Sequence, residues 1–390
     1  MTAHAKPCAI VGVGQTHHKS RRLDVSFGGL VREAVFRALD DAQMTMADVD
    51  AVVLGKAPDL FEGVMKPELY LSDALGATGK PMFRVHTAGS VGGTTGIVAA
   101  SHVQVGKHKT VLAVAFEKQS EGNAQFALGS GKGASLGAGG AFAPFIRAYI
   151  HNSGAPEHIG WQVAVKDRQN ALKNPYAHLK IEDISIEKVK ESPMLWDPLR
   201  FLESCPSSDG ACAVVFTDEE GGNAAAADGR PPAWILGHSS RSEPPGFPGR
   251  NPVRPQAALT CVEDVYAQAG ITRPREQVDM AELYVPFSWY EPIWLEAHYL
   301  ADENQGWKLT DAGETELGGS LPINASGGVL SSNPIGASGL LRFAEAANQV
   351  RGAAGEHQVE GAKVALAMAY GANSQYFSTW AVGSSLDPFG

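Results

Sequence analysis

The chain has 390 residues, 44% of them hydrophobic and 19% charged, enough for one large or two medium cores. A formal net charge of −10 leaves no electrostatic footprint for nucleic acid, and an anionic ligand would need a local basic patch working against the overall field. No apolar run reaches the length of a membrane span, residues 1–11 lack the basic-then-apolar layout of a signal peptide, and four cysteines fit neither a metal spacing nor a disulfide scaffold. A cytoplasmic protein with reduced thiols is expected. In chain order, Cys8–Gly14 is an apolar, β-branched run that ends in glycine and predicts a buried strand. Leu30–Ala42 carries its apolar residues at helical spacing, and Val49–Gly55 is the next strand. Residues 86–105 read as a glycine-rich turn feeding a helix, followed by a strand over Thr110–Phe116.

The second half repeats that order. A helix is expected over 257–269, a strand over 278–284, a glycine-rich stretch over 327–339 opening the helix Leu340–Val350, and a strand over 361–371. The shared order of helix, strand, glycine turn, helix and strand suggests internal duplication, with periods too long and too few for a solenoid. Between the halves, residues 129–140 have the composition of a mobile loop, whereas 156–171 and 184–194 look helical, so this insertion is expected to cover a site. Residues 219–231, and 242–256 with five prolines, read as surface connections.

Several segments together carry a specific likeness. They are Cys205-Pro-Ser-Ser-Asp-Gly-Ala-Cys-Ala-Val-Val215, Ala164-Val-Lys-Asp-Arg-Gln-Asn170, Asn174-Pro-Tyr-Ala177, Val114-Ala-Phe-Glu-Lys-Gln-Ser120 and the run from Asn324 to Gly339. In order and over essentially the whole chain, they resemble the sterol-carrier-protein-x type of thiolase. The resemblance implies an α/β thiolase fold: duplicated halves in a five-layered αβαβα arrangement, each contributing a five-stranded mixed sheet, with an inserted loop domain that holds coenzyme A. The N-terminal half would be 1–120, completed by about 200–240. The loop domain would be 121–199 and the C-terminal half 241–390. The resemblance also implies a homodimer.

Against the family pattern the catalytic positions differ. Gly89 stands at the nucleophilic cysteine, Tyr284 in Tyr284-Val-Pro-Phe287 at an Asn or His, Asn333 in Ser332-Asn-Pro334 at the activating His, and Ala369-Tyr-Gly-Ala-Asn373 lacks the second cysteine. These changes remove nucleophile, base and acid together, so Claisen thiolysis is not expected. A thioester site without a nucleophile can still stabilise an enolate, here through the Asn333 amide and the backbone near Gly371. Tyr284 and Tyr370 are the candidate acid and base, given a phenol pKa lowered by neighbouring donors. This pattern resembles the cysteine-less steroid side-chain aldolases of the superfamily, which work with a small OB-fold, zinc-ribbon partner chain. The implied function is a retro-aldol carbon–carbon lyase on a β-hydroxyacyl-CoA with a sterol-like or branched acyl group, in lipid metabolism. Coenzyme A would enter only as part of the substrate, with no bound cofactor and no metal.

The expected site is therefore Tyr284, Asn333 and Tyr370 for catalysis, with His86, Gly89, Ser90, Gly328 and Gly371 against substrate or coenzyme A. Two alternatives stay open: a non-catalytic acyl-CoA-binding, lipid-binding or scaffold subunit, and an acyltransferase using Ser90. Plainer readings attach to other residues. Ser90 is also a natural helix cap or turn residue, Cys205 and Cys212 are packing cysteines, and Tyr290 belongs to a packed aromatic cluster. Gly327, Gly328, Gly336 and Gly339 allow close backbone approach at the pocket, while His158 and Lys166 are candidates for the coenzyme A phosphates.

Overall fold

The computed structural model describes residues 5–57, 66–122, 137–244, 249–372 and 374–390. The apolar runs form buried strands, because a strand covered on both faces needs no polar alternation. The strands are β1 (Cys8–Gln15), β2 (Ala51–Lys56), the less buried β3 (Met82–Val85), β4 (Thr110–Lys118), the short hairpin of the largely exposed β5 (Met194–Trp196) with β6 (Leu199–Arg200), β7 (Asp209–Asp218), β8 (Ala233–Ser242), β9 (Met280–Glu282), β10 (Val364–Gly371) and β11 (Tyr376–Gly383). Apart from the hairpin they make one sheet in the order β3-β2-β4-β7-β1-β8-β11-β10-β9.

The duplication is written in that order. In the first half β2 runs parallel to β4, which pairs antiparallel with β7, which pairs antiparallel with β1. In the second half β9, β10, β11 and β8 repeat the same senses. A parallel bridge from Ala281 to Ile323 takes the place that β3 holds beside β2. The halves meet where β1 pairs with β8 through Ala9–Trp234 and Ile10–Ala233.

Between the halves lie two helices, Val91–Gln104 and Ile335–Arg351, in a shared core with Val111, Phe216, Phe343 and Trp380. They approach through glycines. A Cβ on Gly92 would stand 2.5 Å from the Leu340 nitrogen, and one on Gly339 2.6 Å from the Gly93 nitrogen. Helix Phe27–Ala42 closes the outer face of the first half, and helix Gln256–Ala269 that of the second. Ser26 caps the former, its side chain accepting from the Gly29 N–H at 3.1 Å. The two halves of the sheet act as separate layers, so the order is helix, sheet, helices, sheet, helix; the first half has the five strands expected and the second has four, with the Ala281–Ile323 bridge in place of a fifth.

The insertion contributes helices Gly137–Ser153, His158–Lys173 and Ile186–Glu191. Phe142, Ile146, Tyr149, Ile159 and Val163 bury into the core of the second half. The expected loop over 129–140 lies outside the described residues up to 136, and from Gly137 the chain is helical. Residues 219–231 differ from expectation. Asp218 caps a helix over Glu219–Ala227, accepting from the Gly221 N–H, and Gly222 and Ala225 are buried beneath it. Its alanines supply the helix propensity that reading the segment as a surface connection left out. The helix expected from Leu340 begins five residues earlier at Ile335, because Pro334 presets the first turn and has no N–H to leave unpaired.

Candidate active site

Tyr284, Asn333 and Tyr370 come together at the end of the second half. Tyr284 follows β9, held by its own carbonyl accepting from Trp294 Nε1 at 2.9 Å and by the Leu283 N–H donating to Asn324 Oδ1 at 2.8 Å. Its hydroxyl donates to Asn333 Oδ1 at 3.2 Å, and Ser338 Oγ donates to the same oxygen at 2.8 Å. With Oδ1 facing two hydroxyls, the Asn333 amide nitrogen turns to Cys205 Sγ at 3.2 Å. The Asn333 backbone is pinned on both sides. Its carbonyl accepts from Gln119 Nε2 at 2.8 Å and the Ser208 N–H at 3.2 Å, while its N–H donates to Ser208 Oγ at 3.1 Å. His178 Nδ1 lies 2.8 Å from that same Ser208 hydroxyl. The side chain is therefore held in one orientation by groups from both halves.

Tyr370 is the penultimate residue of β10 and sits in an aromatic chamber. Its ring centre lies 4.9 Å from Trp294, 5.4 Å edge-on from Tyr284, 5.6 Å stacked on Tyr290 and 6.1 Å from Phe142 of the insertion. Its hydroxyl and that of Tyr290 are buried without an ordinary hydrogen-bond partner among the described residues, although each influences the ionisation of the other. Burial raises the pKa of Tyr370 well above that of a free phenol, with further increments from Tyr290, Tyr284 and Cys205. Burial likewise raises Tyr284, followed by Cys205. The expected lowering of the phenol pKa is thus reversed: desolvation outweighs the nearby donors. Both are neutral hydroxyls at physiological pH.

Gly89 lies beneath Tyr370. A Cβ at 89 would stand 3.1 Å from the Tyr370 carbonyl oxygen and 3.2 Å from Gly371 Cα. Conversely, a Cβ on Gly371 would stand 2.3 Å from the Gly89 nitrogen and 2.6 Å from the Ser90 nitrogen, so the strand end abuts the amides at the head of helix Val91–Gln104. Ala88 and Ala372, on either side of this contact, both hold left-handed backbone at φ 51° and 53°. Ser90 is fully buried and does not cap the helix; its Oγ donates to the Thr87 carbonyl at 2.7 Å and to Thr87 Oγ1 at 3.0 Å. His86 is exposed. Gly328 sits apart from the tyrosines, at φ 60° against Asn324 and with its N–H on Ser326 Oγ.

Two residues assigned to coenzyme A phosphates do other work. Lys166 is buried with Asp167 Oδ1 at 2.6 Å and Glu291 Oε2 at 2.8 Å, so it has no reach to a ligand phosphate. His158 lies 2.8 Å from Asp311. Cys205, in contrast, is part of the site. The Ser204–Phe287 bridge and the Cys205 N–H donating to the Pro286 carbonyl at 2.9 Å lay its segment along the one that carries Tyr284. The nearby Pro-Ser-Ser-Asp signature hid this, since only the tertiary bridge brings 205 beside 284. Among the described residues no histidine hydrogen-bonds Tyr284, Asn333 or Cys205, and no group of side chains could hold a metal ion.

Comparison with known proteins places the chain in a family. Residues 249–382 match the family described as Thiolase C-terminal domain-like. Sterol carrier protein 2 of Homo sapiens is 30% identical over 387 residues, covering 92% of this chain and 68% of that protein. The benzoylsuccinyl-CoA thiolase subunit BbsB of Thauera aromatica is 30% identical over 362 residues, covering 90% of this chain and 91% of that one. Among solved structures, the Ltp2-ChsH2(DUF35) aldolase matches with a TM-score of 0.83 at 26% identity over 98% of both chains.

Proposed function

The chain belongs to the thiolase superfamily, on its sterol-carrier-protein side, and from that premise we propose that it cleaves a β-hydroxyacyl-CoA by a retro-aldol reaction. The observation that carries the reading is the exchange at one site of a cysteine nucleophile for neutral, buried hydrogen-bonding groups. Gly89 offers no side chain, and the Ser90 hydroxyl is committed to Thr87. Tyr284 hydrogen-bonds Asn333 and packs edge-on against Tyr370, whose backbone lies against Gly89. The likeness to a protein named an aldolase supports the same reading.

A retro-aldol cleavage needs no acyl-enzyme. The β-hydroxyl loses its proton, the bond between the α and β carbons breaks, and its electrons pass into the thioester as an enolate. Tyr284 takes the β-hydroxyl proton as it hands its own to Asn333 Oδ1, and the relay ends at the enolate carbon, which consumes one proton, so no phenolate need exist in a site where burial disfavours one. Donors fixed before the substrate arrives meet the growing charge on the thioester oxygen, and in a dry chamber they act at low dielectric. The amides beside Gly371 and the Tyr370 hydroxyl fill that role. Phe142, Phe287, Tyr290 and Trp294 pack about Tyr370 and make its surroundings apolar, which favours an apolar acyl group.

The test uses purified protein, alone and co-expressed with a candidate small OB-fold, zinc-ribbon chain, and β-hydroxyacyl-CoA substrates with branched or sterol-like side chains. The expected products are a carbonyl compound and a shorter acyl-CoA. Tyr284→Phe should lower the rate by about 100-fold or more; an unchanged rate sinks the mechanism. Tight binding without turnover across substrates and partners would instead identify a carrier or scaffold subunit. A covalent acyl adduct in the intact mass would identify an acyltransferase.

A further inference from the structure

The retro-aldol reading leaves one proton unassigned, the one that must be added to the α-carbon of the enolate. The thiolase pattern fills this role from the segment that holds Tyr370 here, and the Tyr370 hydroxyl is already engaged at the thioester oxygen in the retro-aldol reading. Cys205 arrives from a different element. Its half-buried sulfur accepts from Asn333 Nδ2 at 3.2 Å, one amide away from the Tyr284 hydroxyl on Asn333 Oδ1. Arg168, fully buried on helix His158–Lys173, stands behind it. Its guanidinium donates to the carbonyls of Leu330, Leu202 and Ser204, the residue before Cys205. Tyr370, with only 3% of its surface exposed, is buried at the same place, and Cys205 adds to the rise of its phenol pKa that burial begins.

We propose that Cys205 is the proton donor to the α-carbon, with Asn333 and Arg168 stabilising the thiolate left behind. The step balances within the site. The S–H bond breaks and an α-C–H bond forms; in the same relay the sulfur takes a proton from Asn333 Nδ2, Asn333 Oδ1 takes that of Tyr284, Tyr284 takes that of the β-hydroxyl, and Asn333 then returns from the imidic acid to the amide. No proton is exchanged with solvent in net terms, and no oxidant or metal is required. The proposal rests on the retro-aldol reading only for the direction of the reaction, because the same thiolate would remove an α-proton from a bound acyl-CoA.

Burial and the four groups around it decide when the thiol can act. Burial pushes it up to about 11, against the lowering contributed by Asn333, its own backbone and Arg168. The groups facing it are Arg168 from the insertion helix, Tyr284 from the segment after β9, Tyr370 from β10 and Asn333 from the turn before helix Ile335–Arg351. None of the two phenols and the guanidinium changes charge between pH 6 and about 9 in the directions their pKa values are moved. The thiol is therefore a proton donor throughout that window, and the small thiolate fraction grows about tenfold per pH unit.

Exchange of α-protons separates this step from carbon–carbon cleavage. Acetyl-CoA and propionyl-CoA are incubated with the protein in D2O, and deuterium incorporation is followed by mass spectrometry. The wild type should exchange, with a rate rising about tenfold per pH unit between pH 6.5 and 8.5. Cys205→Ala should lose exchange by about 100-fold or more with unchanged affinity for the acyl-CoA, and Cys205→Ser, close in shape, should lose it as well. Tyr284→Phe should keep exchange while losing cleavage. Wild-type exchange in a folded Cys205→Ala or Cys205→Ser protein overturns the proposal, and so does absence of exchange in the wild type. Cysteine-dependent exchange without any cleavage would uphold the proton donor and defeat the lyase reading.

Discussion

A cysteine side chain at position 89 would have to push against a strand. Its Cβ would lie 3.1 Å from the Tyr370 carbonyl oxygen, and that backbone is clamped in the ladder opposite Phe377. Overpacking of this kind costs roughly 1–3 kcal/mol. Gly89→Cys should therefore melt below the wild type and, incubated with acyl-CoA, keep its unmodified intact mass, because no imidazole stands by to activate the thiol. Acylation of the Gly89→Cys protein at its new thiol would refute this account of the site. Gly371→Ala is the harsher change, since its Cβ would come within 2.6 Å of two backbone nitrogens. Thermal melts should rank it below Gly89→Cys, and it should lose cleavage activity as the amides behind the thioester shift.

At the level of elements, the insertion is fastened by charge. Lys166 on helix His158–Lys173 reaches Glu291 at the start of helix Tyr290–Ala297 and the Ile323 carbonyl, with Asp167 beside it. Burial raises Asp167 to about 7, Lys166 holds it down and Glu291 pushes it up. Removing the cation strands two buried carboxylates, so Lys166→Met should lower unfolding free energy by about 3–5 kcal/mol in urea, with part of the loss restored by adding Glu291→Gln. A second pair, His357 with Glu345 at 3.0 Å, makes the end of helix Ile335–Arg351 sensitive to pH. Burial would lower His357, but the Glu345 carboxylate outweighs it and raises the imidazole above 6.5. Burial would raise Glu345, but His357, Gln15 and Arg342 hold it below 4.5. The histidine contributes fully below 6.5 and loses its contribution as pH rises through its folded pKa. The glutamate contributes fully above 4.5 and loses it as pH falls through its own. His357→Gln should thus cost more stability at pH 5.5 than at pH 8.5; an equal loss at both would exclude the pair.

These same elements show what the sequence could reveal. Buried strands such as β1, β4 and β10 are uninterrupted apolar runs, and helix Phe27–Ala42 has a clean apolar stripe, so both were legible. β8 ends in His238-Ser-Ser-Arg-Ser242 and β11 opens at the poorly patterned Tyr376, and both stayed hidden because their residues are set by pairing with each other. In the site, Tyr284, Asn333 and Gly89 could be placed by motif. Cys205 could not, as its role depends on a bridge between segments about eighty residues apart. Nor could the ionisation of the tyrosines, which is set by burial.

Across the whole molecule, the two halves share few strand pairings, and helices Val91–Gln104 and Ile335–Arg351 do most of the joining. Gly92→Val would drive a side chain into the Leu340 backbone, so it should cost about 1–3 kcal/mol and split a single calorimetric transition into two. One transition of wild-type sharpness would show that the seam is not the weak joint. The proposed site straddles this junction: Gly89 and Ser90 come from one half, Tyr284, Asn333 and Tyr370 from the other. A ligand lodged there binds only the folded, joined chain, and by linkage it stabilises that state by RT ln(1 + [L]/Kd), about 2.7 kcal/mol at a hundredfold excess over Kd. Thermal-shift screening of an acyl-CoA library would therefore rank candidate substrates by affinity even if every one of them were turned over too slowly to detect.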